Sequence, residues 1–206
     1  MITKIFPAVA IAMVISLQAY SQFNVGVKAG VNYVNVAVPD GFSDNEYRLG
    51  YHFGGYVRFS FNEKISLTGE LLFSNKGYKF DENIAGQSGS LHLNYLNLPI
   101  LFGFKPVNKL TILAGTEFGY RLSAKSKFDS QTVDVSNIWD NKFDFGIAGG
   151  INYAITDKIG IDIRYIHGLT SVMKDAILRD DMNQPLGGNL DLLNRAFQIS
   201  VLYAIK

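Results

Sequence analysis

The chain contains no cysteine, so disulfides, thiolate metal sites and cysteine nucleophiles are all excluded. Charged residues make up only 18% of the 206 residues, and the formal net charge of +1 provides no strong field to attract nucleic acid. After residue 21 no apolar run approaches the length of about 20 residues that a membrane-spanning helix needs. We therefore expect neither a nucleic-acid partner nor a transmembrane helix in the mature chain.

Glycine and aromatic residues are frequent, with 20 Gly, 15 Phe and 11 Tyr, as is typical of a β protein. The stretch 109–123, KLTILAGTEFGYRLS, illustrates the dominant pattern. Its even-numbered residues are largely apolar, whereas its odd-numbered residues include Glu117, Arg121 and several glycines and polar side chains. Because side chains alternate across a strand, this pattern predicts a β-strand with one apolar and one polar face.

Seven further segments repeat this alternation. The eight predicted strands are residues 23–38, 47–61, 64–80, 91–105, 109–123, 142–156, 158–172 and 193–206. At about 3.3 Å per residue, each is long enough to cross the hydrocarbon core of a bilayer even when tilted.

The connections between these strands alternate in length. Short turns at residues 62–63, 106–108 and 157 alternate with long loops at 39–46, 81–90, 124–141 and 173–191. Short periplasmic turns and longer outer loops are typical of outer-membrane barrels. The predicted fold is therefore all-β, an eight-stranded antiparallel up-and-down transmembrane β-barrel in the outer membrane.

The two faces of the strands predict what meets lipid and what fills the lumen. Outward aromatic residues are expected in two girdles, with Phe61, Phe104, Tyr153 and Tyr203 on the periplasmic side and Tyr33, Phe73, Tyr120, Phe143 and Tyr165 on the outer side. The charged residues expected to face inward are Lys28, Arg58, Glu70, Lys76, Glu117, Arg121, Asp144, Asp162 and Arg164. An eight-stranded barrel is narrow, so we expect these charges to pair across a filled lumen and to leave no diffusion channel.

The fourth strand departs from the simple alternation. Leu91, Leu93 and Tyr95 are odd-numbered, whereas the apolar series continues at even positions from Leu96. A β-bulge near residues 95–97 would bring both series to the lipid face, next to Pro99, which donates no ladder hydrogen bond. We therefore predict a bulge in this strand.

The first 21 residues have the features of a secretory signal peptide. Lys4 precedes an apolar run over residues 5–17, and Ala19-Tyr20-Ser21 forms a small-residue cleavage pattern before Gln22. The domain prediction is therefore a signal peptide at 1–21 and a barrel at 22–206. A retained N-terminal anchor is the alternative.

Several stretches resemble one bacterial family. NVGVKAGVNY, YLNLPILFGFK, FDFGIAGGINY, IDIRYIHGLTS and RAFQISVLYAIK are similar to segments of PorT-like outer-membrane β-barrel proteins, in an order that covers residues 22–206. The resemblance implies an eight-stranded outer-membrane barrel. The family's namesake is tied to protein secretion and gliding, but no residue here indicates that role. The chain ends in Lys206, where such barrels often end in an aromatic residue.

No residue is assigned a catalytic, cofactor-binding or metal-binding role. His167 lies near Thr170 and Ser171, with Asp162 and Arg164 earlier in the strand, but no G-x-S-x-G elbow is present. His52 and His92 lack the compact spacing of a local metal site, and the acidic residues Asp175, Asp180 and Asp181 lack the loop pattern of a calcium site. Gly187-Gly188 indicates loop flexibility, and Trp139 is a candidate partner anchor or girdle residue. Residues 173–179 are expected to form either a short helix, with Ile177 and Leu178 over the rim, or a disordered loop segment.

The function predicted from the sequence is a small, non-enzymatic outer-membrane barrel with a structural or interaction role. Its expected partners are outer-membrane lipid and a protein bound at the outer loops, and it is expected to be a monomer without a cofactor. Two alternatives stay open. One is a secreted lipocalin-like barrel whose apolar face turns inward around a hydrophobic ligand. The other is a barrel enzyme that hydrolyses lipid or peptide at its rim, with His167 as the candidate base.

Overall fold

The computed structural model describes residues 22–37, 46–80, 88–128, 131–137, 141–171 and 192–205. The predicted signal peptide lies outside these residues. Among the residues described, no helix has the length and apolar character needed to cross a membrane.

Alternating side-chain polarity produces nine β-strands in the described chain. They are β1 Phe23–Ala37, β2 Arg48–Ser60, β3 Ile65–Phe80, β4 Gly89–Val107, β5 Leu110–Phe128, β6 Gln131–Asp134, β7 Phe143–Ala154, β8 Ile159–Ser171 and β9 Leu193–Ala204. All pairings between them are antiparallel.

Eight of the nine strands form a closed ring. Consecutive strands of the ring pair with each other, and β5 pairs directly with β7. The ring closes where β1 pairs with β9, from the pair Gly26 and Ala204 to the pair Ala37 and Leu193. The short β6 pairs only with the outer end of β5. Closure leaves no unpaired edge in the ring, as a bilayer requires. The predicted fold, an eight-stranded antiparallel up-and-down barrel, is confirmed.

The short turns at one end are stabilised by local side-chain hydrogen bonds. Asn62 Oδ1 accepts from the backbone N–H groups of Lys64 and Ile65, both at 2.8 Å. Thr156 Oγ1 accepts in the same way from Lys158 and Ile159, at 3.2 and 2.9 Å. These side chains satisfy backbone donors that a tight turn leaves unpaired.

The predicted boundaries are wrong at the outer ends of β4 and β5. Both strands have 19 residues, and part of the loop predicted at 124–141 is strand, since β5 continues to Phe128 and β6 follows. Among the described strands, β3, β4 and β5 therefore extend further toward the outer end than the rest of the ring, and β6 pairs with this part. We call this part the outer extension.

The predicted bulge at residues 95–97 is also wrong. β4 stays in register with β3 on both sides of Tyr95, so Leu91, Leu93 and Tyr95 face the interior and are at most 3% exposed. The irregularity lies on β5 instead, where Asn94 pairs with Ser123 and Tyr95 with Arg121, which leaves Leu122 as the extra residue. Above this level β4 presents apolar residues to the interior and the polar residues Ser90, His92 and Asn94 to the outside.

The predicted outward apolar face is confirmed. Ile147, for example, is 50% exposed, whereas its neighbour Ala148 is 5% exposed. The facing required by the lipocalin-like alternative, with the apolar side turned inward, is therefore wrong. Outward aromatic rings pack across neighbouring strands near both ends: Phe23 with Phe59, Tyr33 with Tyr47, Tyr120 with Phe143, and Tyr165 with Phe197.

Candidate functional site

The lower lumen, nearer the short turns, holds four charged side chains in one ion-pair group. Arg164 Nη2 lies 2.8 Å from Glu70 Oε1 and 3.0 Å from Asp162 Oδ2. Lys28 Nζ lies 3.4 Å from Glu70 Oε2 and 3.1 Å from Asp162 Oδ1. Two cations and two carboxylates thus neutralise one another, and each is at most 3% exposed. We call this group the lower quartet.

The upper lumen holds a second group. Lys76 Nζ lies 2.9 Å from Glu117 Oε1 and 3.2 Å from Asp144 Oδ2. Asn97 Nδ2 donates to Glu117 at 2.6 Å, and Asn194 Nδ2 donates to Asp144 at 2.7 Å. Each amide donates to the same carboxylate oxygen that Lys76 contacts, which adds a neutral hydrogen bond to each ion pair. We call Lys76, Glu117 and Asp144 the upper triad.

Tyr95 is an upper-lumen residue that the sequence prediction missed. Its ring lies under Lys76, with Nζ 5.1 Å from the ring centroid, and its hydroxyl accepts from Asn194 Nδ2 at 3.4 Å. A desolvated ammonium above an aromatic face is stabilised by the ring quadrupole. The inward position of Tyr95 follows from the unbroken register of β4, which its apolar character had obscured.

Apolar side chains fill the space between and above the charges. One cluster consists of Val34, Leu101, Leu113, Ala148, Ile166 and Ala196. The second, the outer apolar cluster, consists of Val36, Leu91, Leu93, Tyr95, Ala124 and Leu192, with Tyr78 and Val135 packed against it. Close packing of this kind around paired charges gives a narrow barrel a solid interior.

His52 faces the lumen, as predicted, and both of its ring nitrogens have partners. Asn32 Nδ2 donates to the carbonyls of Tyr51 and Asn75, which fixes the orientation of the Asn32 amide. Its Oδ1 therefore accepts from His52 Nδ1 at 2.7 Å, and His52 Nε2 accepts from Ser200 Oγ at 2.8 Å. A Cβ at Gly30 would clash with the backbone of Ile199 and Ser200 and lie 2.8 Å from His52 Cε1, so glycine there permits both the close approach of β9 and the position of the ring.

His167, the candidate catalytic base, does not lie next to Asp162 and Arg164, the charged residues that precede it in the strand. His167 faces outward beside Tyr165, with ring centroids 6.2 Å apart, whereas Asp162 and Arg164 are buried in the lower quartet. Thr170 Oγ1 accepts from Phe145 N at 2.7 Å, and Ser171 Oγ accepts from Leu192 N at 3.0 Å. The third histidine, His92, lies 3.0 Å from Ser90 Oγ through its Nε2, in the outer extension.

The remaining sequence candidates lie outside the described residues. They are Trp139, Asp175, Asp180, Asp181, Gly187, Gly188 and the segment 173–179 with Ile177 and Leu178. Within the described ranges, no group of three or more His, Cys, Asp or Glu side chains could hold a metal ion.

A family model described as an outer membrane protein β-barrel domain matches residues 16–174 of the chain. The chain belongs to this family. The apolar outer face, the closed ring and the buried lumen charges are thus those of an outer-membrane β-barrel, which sits in the lipid bilayer of the outer membrane.

Solved structures with the same fold are distant in sequence. The attachment invasion locus protein Ail of Yersinia pestis, in complex with the heparin analogue sucrose octasulfate, is 16% identical to this barrel. The alignment covers 89% of this chain and 99% of Ail, with a TM-score of 0.51. Neisserial surface protein A is 11% identical over 88% of this chain and 96% of its own, also with a TM-score of 0.51. At these identities the likeness shows the fold alone. No curated protein matches the barrel.

Proposed function

We propose that this outer-membrane barrel is a PorT-like protein with a structural or interaction role, and that it is neither a diffusion pore nor an enzyme. The observation that carries the proposal is the ion pairing across the lumen. Side chains from β1, β3, β5, β7 and β8 meet there in six contacts of 2.8–3.4 Å. A hydrated solute could pass only if these buried pairs separated, and breaking a buried pair is costly.

The outer end is where we propose that a protein partner binds. Loops on a rigid scaffold commonly carry recognition, and the long connections lie at this end, next to the outer extension. The closed ring itself leaves no strand edge for a second copy, in keeping with a monomer, although the short β6 outside the ring pairs only with β5. We also propose that residues 1–21 are a signal peptide removed before Gln22, which can be checked by the intact mass of the mature protein.

Conductance measurement tests the absence of a pore directly. The folded barrel, checked by heat-modifiable migration on gels, is reconstituted in planar bilayers beside a known porin. We expect no large, stable conductance steps and no uptake of sugars in liposome swelling. Porin-like steps from the folded protein would overturn the proposal.

A pull-down with the intact barrel, compared with a version whose loop 173–191 is replaced by a short Gly-Ser linker, tests for a partner at the outer end.

A further inference from the structure

On the side of the outer extension that faces away from the lumen, successive rows of residues toward the outer end are apolar, then polar, then basic. The first row across β3, β4, β5 and β7 is apolar: Phe73, Leu96, Tyr120 and Phe143 are aligned by strand pairing. The next row toward the outer end is a ladder of amides and a hydroxyl, in which Asn75 is buried and Asn94 and Ser123 are partly exposed. Asn75 Nδ2 donates to Asn94 Oδ1 at 2.6 Å, and Asn94 Nδ2 donates to Ser123 Oγ at 2.9 Å.

Lysines occupy the rows beyond this ladder. Lys79 pairs with Ser90, and Ser90 pairs with Lys127, so the two lysines flank one serine in a single row. Their backbones are two strand spacings apart, about 10 Å. Lys125 lies on the same face of β5 two residues before Lys127, about 7 Å away. All three side chains are exposed, and the ion pairs among the described residues all lie in the lumen.

We propose that this basic patch, formed by Lys79, Lys125 and Lys127, binds the phosphate groups of a phosphorylated glycolipid in the outer leaflet. Its position determines the class of ligand. The aromatic row marks the edge of the hydrocarbon region, since aromatic girdles lie at the level of the head groups. A basic surface that begins two rows further out meets the anionic part of a lipid whose acyl chains lie along the apolar band.

The side chains suit a phosphate chemically. Lysine acts as a flexible point charge with three donors, so ammonium groups that start about 7–10 Å apart can converge on one phosphate. Ser90, which lies between Lys79 and Lys127, adds a hydroxyl, and His92 lies beside it with Nε2 3.0 Å from Ser90 Oγ. The patch therefore combines positive charge with neutral hydrogen-bonding groups, and the charge-assisted contacts from lysine are the stronger ones.

Among the described residues, two carboxylates lie next to lysines of the patch and reduce the contribution expected of those lysines. Asp134 is aligned with Lys125, and the N–H of Ser136 donates to Asp134 Oδ1 at 2.9 Å, which holds the pKa of that carboxyl below its usual value. Lys125 therefore lies opposite a charged carboxylate. Glu46 pairs with Lys79 through backbone hydrogen bonds of 3.0 Å. No carboxylate is aligned with Lys127, whose partners are Ser90 and Thr132.

Native mass spectrometry tests the proposal on the full mature barrel in a neutral detergent. Bisphosphorylated lipid A is the probe, and the fraction of barrel carrying it is measured as the lipid concentration is raised. The double variant Lys79→Gln/Lys127→Gln is compared with Lys64→Gln/Lys105→Gln. The control removes two lysines from neighbouring strands at the short-turn end, where Lys105 N donates to Lys64 O at 2.8 Å. Heat-modifiable migration verifies that each variant is folded.

We expect the patch variant to bind lipid A about tenfold or more weakly and the control to match the wild type. Removing the phosphates from lipid A should weaken its binding to the wild type by the same factor as removing the two lysines weakens the binding of bisphosphorylated lipid A. Equal affinity of the patch variant and the wild type, or an equal loss in the control, would overturn the proposal. Complete displacement of lipid A by millimolar inorganic phosphate would identify a free-anion site and would contradict a lipid ligand.

If the double variant does not fold, single variants decide the question. Lys127→Gln should weaken binding more than Lys125→Gln, because Lys125 lies opposite Asp134. Equal effects of the two substitutions, or none, would contradict the proposed patch. These outcomes are independent of the conductance result, since a barrel that forms a pore could still bind lipid on its outer wall.

Discussion

Arg164 and Glu70 are joined by two parallel hydrogen bonds across the lumen, from Nη1 to Oε2 at 3.0 Å and from Nη2 to Oε1 at 2.8 Å. This bidentate geometry matches the planar guanidinium to the planar carboxylate and is among the stronger ion-pair arrangements. Glu70 also accepts from Lys28, so one carboxylate neutralises two buried cations from different strands. Glu70 and Arg164 thus each take part in three of the five hydrogen bonds of the lower quartet, and Lys28 and Asp162 in two each.

Glu70→Gln should destabilise the barrel markedly. The substitution keeps the shape of the side chain but leaves Lys28 and Arg164 with Asp162 as their remaining carboxylate, at a cost of about 3 kcal/mol in the free energy of unfolding. Urea titration of the barrel folded in detergent measures this change. Glu63→Gln, in an exposed short turn, is the matched control and should change stability by less than about 0.5 kcal/mol. Similar effects at both positions would contradict a structural role for the lower quartet.

A steric test distinguishes the observed register of β4 from the bulge that the sequence predicted. Leu93 is 0% exposed in the outer apolar cluster, whereas Leu96 is 41% exposed on the lipid face. Leu93→Trp should cost about 2 kcal/mol of stability through overpacking, while Leu96→Trp should be nearly neutral. If both substitutions were tolerated equally, both side chains would face outward and a bulge between them would be the better description.

His52→Phe should destabilise the barrel through lost hydrogen bonds. The phenyl ring has no polar atom, so Asn32 Oδ1 and Ser200 Oγ would lose their partner in the buried lumen, at a cost of about 2 kcal/mol. His167→Phe is the matched control, because this ring is partly exposed beside Tyr165 and should tolerate the change. Thermal unfolding followed by gel migration compares the two; a larger loss from His167→Phe would reverse the assignment.

Single cysteines at adjacent positions report the facing of β7. Because the chain has no native cysteine, Ile147→Cys and Ala148→Cys each introduce one unambiguous thiol. A lipid-soluble maleimide should label position 147 rapidly and position 148 slowly, in line with their exposed fractions of 50% and 5%. Faster labelling at position 148 would mean that the apolar side faces the lumen.

The lipid-embedded part of the fold was predictable from sequence because lipid imposes a strict rule. A charge such as Glu117 has no stable place on the hydrocarbon face, so strand alternation and charge together determine its direction. The pairing partners were not predictable in the same way. Lys28 and Asp162 are 134 positions apart, and their contact depends on the closed ring.

The outer extension was not predictable because the rule reverses there. Beyond the girdle, the wall faces polar head groups and water instead of hydrocarbon, so Lys125 and Lys127 face outward and apolar residues such as Leu93 face inward. The assumption that every apolar residue faces lipid leads to a predicted bulge in β4 and to a predicted loop at residues 124–128, where the structure has strand. The signal for the correct structure was present in the outward polar series at Ser90, His92 and Asn94.

The contact between Lys28 on β1 and Asp162 on β8 should slow the folding of the barrel. The chain loses conformational entropy when it closes a long loop, and it does so before the contact at the ends of that loop forms; contacts between distant residues therefore slow folding. The pairing of β9 with β1 is what closes the ring around these charges. Desolvation of the interior and closure of the ring should therefore occur in one late, cooperative step, and substitutions at Glu70 should accelerate unfolding more than they slow the insertion of the first strands.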